Sequence, residues 1–129
     1  MNIKLLINQI NETKYWDMPI LDLQSKYFGD EIYLFIEKNN KVCWKISFIS
    51  CYKVSYETDA NWRGDFQVKN MTNGQLGYYG QDISLSECDD NKDFISASLD
   101  LSIMTMKIVC KTILVEEIEM QYETLFYRE

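Results

Sequence analysis

The chain has 129 residues, with 13 basic and 20 acidic side chains that give a net charge of −7, and 47% of its residues are apolar. This size and apolar content predict one folded domain over residues 1–129 and exclude a disordered chain. The acidic balance excludes the basic face of a nucleic-acid-binding protein. No run of the sequence approaches the roughly 18 apolar residues of a membrane-spanning helix.

The first predicted element is a short amphipathic helix, because Ile3, Leu6, Ile7 and Ile10 recur at helical spacing. A strand from Ile3 to Ile7 is the alternative. The N-terminal residues lack the basic-then-apolar pattern of a signal peptide, so we expect a cytoplasmic protein. In a reducing compartment its four cysteines, none of them in a C-x-x-C pair, are expected to be free thiols: Cys43, Cys51, Cys88 and Cys110.

The only proline of the chain marks the next element. Proline lacks a backbone donor, so Met18-Pro19 predicts the start of an edge strand. Gly29-Asp30 is a turn signal, and residues 19–28 are therefore predicted to form a hairpin with the stretch that follows.

The stretch from Asp30 to Glu57 has the clearest strand pattern. Apolar side chains alternate with others over two runs, which are Ile32, Leu34, Ile36 and then Val42, Trp44, Ile46, Phe48. This period of two predicts strands with one buried face. Asn39-Asn40 suits a tight connection, and a bulge is expected at Ser50-Cys51. Tyr33 and Phe35 indicate that the second face is partly covered.

Residues Thr58 to Gly80 show no helix or strand period, apart from a short strand predicted at Phe66–Val68. Strand signals return at Ile83 and Leu85. After a turn at Asp89–Asp93, residues 95–101 and 104–110 alternate, and residues 112–118 continue that strand or form another. The tail from Glu119 to Glu129 reads equally as a helical turn or an edge strand.

Together these segments predict a mainly β protein: a single antiparallel β-sandwich or curved half-barrel of about 7–8 short strands, with a short N-terminal helix. An α+β fold is the alternative. Loops carry function more often than strands do, so the irregular stretch from Thr58 to Gly80 is where we expect a functional site.

The chain has no histidine, which excludes Ser-His and Cys-His nucleophilic catalysis. We expect neither a cofactor nor a metal site, since glycine-rich phosphate motifs are absent and the turn Asp89–Asp93 lacks the glycine and distal glutamate of a calcium loop. Glu57 and Asp59 lie beside Arg63. This group would perform acid–base chemistry if burial raised one pKa, or Arg63 would pin the loop through an ion pair.

Trp62 and the adjacent Tyr78 and Tyr79 are aromatic residues within the irregular stretch. Exposed rings of this kind anchor protein interfaces. The alternative is that they close the open end of the sheet as part of the core.

Four segments carry a resemblance: YWDMPILDLQ (15–24), FGDEIYLFIE (28–37), KISFISCYKVSYETDANWR (45–63) and LGYYGQDI (76–83). They resemble a group of small bacterial proteins that is in turn similar to the immunity proteins encoded beside polymorphic toxins. The resemblance implies a β-rich, acidic, single-domain cytosolic protein that binds and neutralises a partner toxin.

The leading hypothesis is a non-enzymatic acidic protein-binding module of the immunity type, whose partner has a basic surface. The contact surface would consist of carboxylates for charge complementarity and aromatic anchors, on Asp59–Asp65 and Tyr78-Tyr79: Glu57, Asp59, Asp65, Trp62 and Tyr79. One alternative is a small-molecule-binding β domain, or an enzyme that uses Glu57, Asp59 and Arg63. Another is self-association through strand edges, because the sequence does not define the oligomeric state.

Overall fold

The computed structural model describes residues 2–59, 61–72 and 75–120. Within these ranges the chain forms one α-helix and one antiparallel sheet of six strands, in the order β1-β2-β3-β6-β5-β4. The elements are α1 (Ile3–Glu12), β1 (Ile20–Lys26), β2 (Glu31–Glu37), β3 (Val42–Thr58), β4 (Tyr78–Glu87), β5 (Ile95–Ser102) and β6 (Met104–Glu119).

The prediction of a mainly β fold, a sandwich or a curved half-barrel, is confirmed in its class. The predicted number of seven or eight strands is wrong for the described residues, which form one sheet of six that is not closed. Residues 104–118 belong to a single strand, so the two predicted segments merge. Phe66–Val68 is not a strand, because Val68 begins a 3₁₀ turn that ends at Asn70. There are fewer strands than predicted because β3 and β6 are long, with 17 and 16 residues. Of the predicted tail element, residues 121–129 lie outside the described residues.

The N-terminal helix is confirmed. The side chain of Asn2 caps it by accepting a hydrogen bond from the Leu5 N–H at 3.0 Å. Ile10 is completely buried and Leu6 packs beside it against the sheet. The side of the sheet that α1 covers is called the inner face below. α1, with 10 residues, is too short to cross a membrane, and no other helix in the described ranges is long and apolar enough.

The two alternating runs form the predicted strands, β2 and β3, which pair as a hairpin. Ile32 pairs with Phe48 and Leu34 with Ile46, so their side chains share the inner face. The Asn39 side chain stabilises the connection by accepting hydrogen bonds from two backbone N–H groups. The predicted bulge is present, since Ser50 has φ +56° and the register with β6 shifts just after it.

The second face of the sheet is partly covered, as the sequence predicts. Leu21, Phe35 and Cys43 are buried there as a separate cluster. We call this side the outer face. It follows that the β1–β2–β3 end of the sheet has buried residues on both faces.

The sheet is curved so that its two edge strands meet at one corner. Pro19, just before β1, forms a bridge with Tyr79 of β4, and Trp16 forms another with Gly80. Pro19 therefore precedes an edge strand, as predicted. The rest of the seam between β1 and β4 lacks strand pairing among the described residues.

Candidate functional site

Three exposed carboxylates lie in a row across the outer face. Glu57 of β3 pairs with Thr105 of β6, Thr105 pairs with Asp100 of β5, and Asp100 pairs with Asp82 of β4. At about 4.8 Å between strands this row is roughly 14 Å long. We call Glu57, Asp100 and Asp82 the acidic row.

The acidic row carries an unfavourable contact. The neighbours of Asp82 and Asp100, Ile83 and Leu99, are a buried cross-strand pair on the inner face, so the two carboxylates face outward opposite each other. Like charges at directly opposed positions destabilise a sheet. A cation-bearing surface placed over this row would relieve the repulsion. Among the described residues no group of three or more side chains has the arrangement of a metal site.

Asp59 extends the acidic surface at the end of β3. Its N–H donates to the Ile103 carbonyl at 2.9 Å, and its carboxylate accepts a hydrogen bond from the Asn61 N–H at 2.9 Å. These bonds hold the first turn of the following segment, the 3₁₀ turn Asn61–Arg63. Trp62 in this turn is 39% exposed, and Asp65 beyond it is also exposed.

Arg63 is separated from the carboxylates with which the sequence grouped it. It is half-buried, and within the described residues the one ion pair joins Lys38 to Glu117. The predicted ion pair that would pin the loop is therefore absent between Arg63 and Glu57 or Asp59. Both of these carboxylates are exposed to solvent, so they do not lie in an enclosed site.

Tyr78 and Tyr79 belong to β4 rather than to a loop. The Tyr78 hydroxyl lies 2.9 Å from the Thr58 hydroxyl, so it ties the start of β4 to the end of β3. Tyr78 packs against the core, and Tyr79 bridges to Pro19. Both rings are half-buried. They line the seam, and Trp62 is the more exposed of the predicted anchors.

A cavity of about 410 Å³ opens between β1 and the distal half of β3. Its walls are mostly apolar, and Arg63 and Asp22 supply its charged groups. The apolar walls include Leu23, Val54, Val68, Leu76, Leu101 and Met104. Of the three residues proposed for an enzyme, only Arg63 lines this cavity.

The two fully buried thiols, one on each face of the sheet, do not provide a nucleophile. Burial raises the pKa of Cys43 to about 11 and that of Cys110 to about 12. Since the thiolate is the reactive form, these two groups are inert at neutral pH. All four cysteines are free.

Sequence reasoning missed two groups of surface residues. Tyr27 and Phe28 are strongly exposed in the β1–β2 connection. Both have left-handed backbone conformations, with φ of +55° and +57°. The two aromatic residues directly before a glycine were the available signal. Asp82 and Asp100 were also missed, because only the register of β4 on β5 places them together.

The comparison with known families gives one match. The family described as Immunity protein PIM7 matches residues 2–117, a range that includes α1, β1 to β5, the acidic row and most of β6. No curated protein matches the chain.

Proposed function

The chain belongs to the Immunity protein PIM7 family, and from this premise we propose that it is a non-enzymatic cytoplasmic inhibitor that binds a toxin through its acidic row. The match over nearly the whole sheet is the observation that carries the proposal. An immunity-type protein acts by occupying a partner protein, so the chemistry to explain is recognition rather than catalysis.

Charge supports the acidic row as the contact surface. Glu57, Asp82 and Asp100 are exposed, and none of them forms an ion pair within the described residues. The repulsion between Asp82 and Asp100 weakens when a basic surface covers them. The partner that fits is therefore a toxin with lysines or arginines at the contact. Charge complementarity of this kind mainly accelerates association.

Trp62 supplies an apolar anchor beside the acidic row. The ring is 39% exposed and belongs to the turn that Asp59 holds in place. Buried tryptophan at an interface contributes mainly by slowing dissociation. Tyr79, which is half-buried at the seam, and the exposed Asp65 are further candidates for the contact.

The experiment measures association with the toxin encoded beside this protein, using the variant Asp82→Asn/Asp100→Asn. Asparagine keeps the acceptor that Asp100 offers to the Ser102 N–H. The matched control is Asp89→Asn/Asp90→Asn, which removes the same charge from the exposed β4–β5 turn. We expect the association rate constant to fall about tenfold in the first variant and to fall with salt in the wild type. The control is expected to keep the wild-type rate.

Several results would refute the proposal at different levels. Equal association rates at low and high ionic strength would exclude the acidic row as the steering surface. An equal effect in the control would mean that net charge alone matters. If the wild type neither binds the toxin nor protects cells that express it, the inhibitor function itself is wrong. Circular dichroism of each variant verifies that the fold is retained.

A second candidate function is the binding of a small molecule that has an apolar chain and an anionic group. It is favoured by the cavity of about 410 Å³, which lies within the usual range for ligand pockets and has Arg63 on its wall. Long-chain carboxylates are the probes to use. They should raise the melting temperature of the wild type and not that of Arg63→Gln; no shift with either protein would exclude this function.

A further inference from the structure

The distal half of β3 has one open edge. β3 has 17 residues, but β2 pairs with it only from Cys43 to Ile49. Beyond the bulge at Ser50, β3 bends and pairs with β6 alone. We call Tyr52–Thr58 the open edge. Five of its seven residues are exposed, and the other two are half-buried.

Within the described residues, the backbone of the open edge has hydrogen-bonding groups without a strand partner. The Asp59 N–H donates to the Ile103 carbonyl, and bonded positions alternate along an antiparallel ladder. By this alternation Lys53, Ser55 and Glu57 bond to β6. The N–H and C=O groups of Val54, Tyr56 and Thr58 therefore point away from it.

No hydrogen bond to those three backbones exists among the described residues. Such an edge is a template for another strand. The partner that its chemistry recognises is an extended segment of polypeptide.

The side chains of the open edge are complementary to themselves. In an antiparallel pair of two copies related by a two-fold axis at Ser55, Lys53 lies opposite Glu57 of the second copy. Val54 then lies opposite Tyr56, and Tyr52 opposite Thr58. Opposite charges and aromatic–β-branched pairs are the favourable cross-strand combinations.

The alternation of hydrogen-bonded positions along β3 is compatible with this register. Val54 and Tyr56 have the outward-pointing backbone groups, so their two pairings supply four backbone hydrogen bonds between the copies. The Lys53–Glu57 pairs fall at non-hydrogen-bonded positions, where side chains approach most closely. Neither Lys53 nor Glu57 forms an ion pair within the described part of the chain.

Exposed aromatic rings border the open edge. Tyr52 is 69% exposed and Tyr56 is 62% exposed. Tyr27 and Phe28 line a depression of about 290 Å³ together with Tyr52 and Val54. Large exposed apolar groups in one place mark an interaction surface, and a strand added at this edge would lie beside them.

We propose that the protein forms a symmetric homodimer in which the open edge of each copy pairs antiparallel with that of the other, joining two sheets into one. The occupant is a second copy, because antiparallel pairing about Ser55 places Lys53 of each copy opposite Glu57 of the other. The interface is isologous and closed, so it yields a dimer and no fibre. Glu57 belongs to both this interface and the acidic row, so dimerisation is measured without toxin.

The test is a charge-reversal cycle read by sedimentation equilibrium. Lys53→Glu and Glu57→Lys each place like charges opposite each other twice per dimer, and each should weaken dimerisation about tenfold or more. The double variant Lys53→Glu/Glu57→Lys restores opposite pairs and should return the dimer to near its wild-type affinity. Lys92→Glu, in the exposed β4–β5 turn, is the control for net charge.

Amide hydrogen exchange gives a second readout that a change in folding would not mimic. In the wild-type dimer the amides of Val54 and Tyr56 should be protected, and in Lys53→Glu these two should exchange faster. The amides of Lys53, Ser55 and Glu57 should remain protected in both. A wild type that stays monomeric up to its solubility limit, or a dimer that tolerates both single reversals, overturns the proposal. Protection of these amides only when toxin is bound overturns it in favour of a toxin strand.

Discussion

Replacing Gly80 by alanine tests how the two edges of the sheet are held together. A Cβ atom at this position would lie 2.5 Å from the carbonyl oxygen of Tyr15 and 3.1 Å from its ring. Real Cβ atoms do not approach backbone oxygens this closely, so the segment around Tyr15 has to move away from β4.

The movement would break two backbone hydrogen bonds of Gly80. The Asp17 N–H donates to the Gly80 carbonyl at 2.8 Å, and the Gly80 N–H donates to the Met18 carbonyl at 2.9 Å. Each such bond contributes about 1 kcal/mol. The shift also uncovers part of the buried Tyr15 ring. We expect Gly80→Ala to lower the free energy of unfolding by about 2–4 kcal/mol.

Urea denaturation at fixed protein concentration measures this loss as a lower midpoint with an unchanged m value. Gly77→Ala is the matched control, because its Cβ would lie 3.4 Å from the flexible Ile103 side chain. The control should cost less than about 1 kcal/mol. If both variants unfold at the wild-type midpoint, Gly80 does not lie against Tyr15, and the corner at which β1 and β4 meet is not closed as described.

Two further predictions concern buried groups. Tyr15→Phe removes the hydroxyl that accepts the buried Ile83 N–H at 2.9 Å, which should cost about 1–3 kcal/mol in urea denaturation; an unchanged midpoint would mean that this bond is not formed. The raised pKa values of Cys43, about 11, and Cys110, about 12, mean that the folded state keeps protons that the unfolded chain releases near pH 9.0. The contribution of these thiols to stability should therefore be constant below about pH 9 and be lost as the pH rises through the folded-state values, whereas a flat profile from pH 9 to pH 11 would contradict the burial of these thiols.

Much of the fold could be predicted because it depends on local pattern. The alternation from Ile32 to Phe48 is long enough to define both strands and the inner face, and the helix followed from Ile3 to Ile10. The bulge at Ser50 was also predicted. These features arise from periods of 2 and 3.6 residues that a linear sequence carries in full.

The candidate site was predicted only in part. Glu57 and Trp62 could be selected because they lie near the boundary between a strand and an irregular segment. Their real neighbours, Asp82 and Asp100, are 25 and 43 residues beyond Glu57 in the numbering of the chain. The pairing of β3 with β6 and of β6 with β5 brings them together, and no local signal encodes that order of strands.

Composition and periodicity alone determined that this chain is an acidic, mainly β domain with an N-terminal helix. The tertiary structure decided that the strands form one open sheet, that Arg63 lines a cavity instead of pairing with Glu57 or Asp59, and that the last seven residues of β3 form the open edge. The physical reason is that side-chain alternation reports which face of a strand is buried. It contains no information on which strand lies alongside, since that choice depends on contacts between residues far apart in sequence.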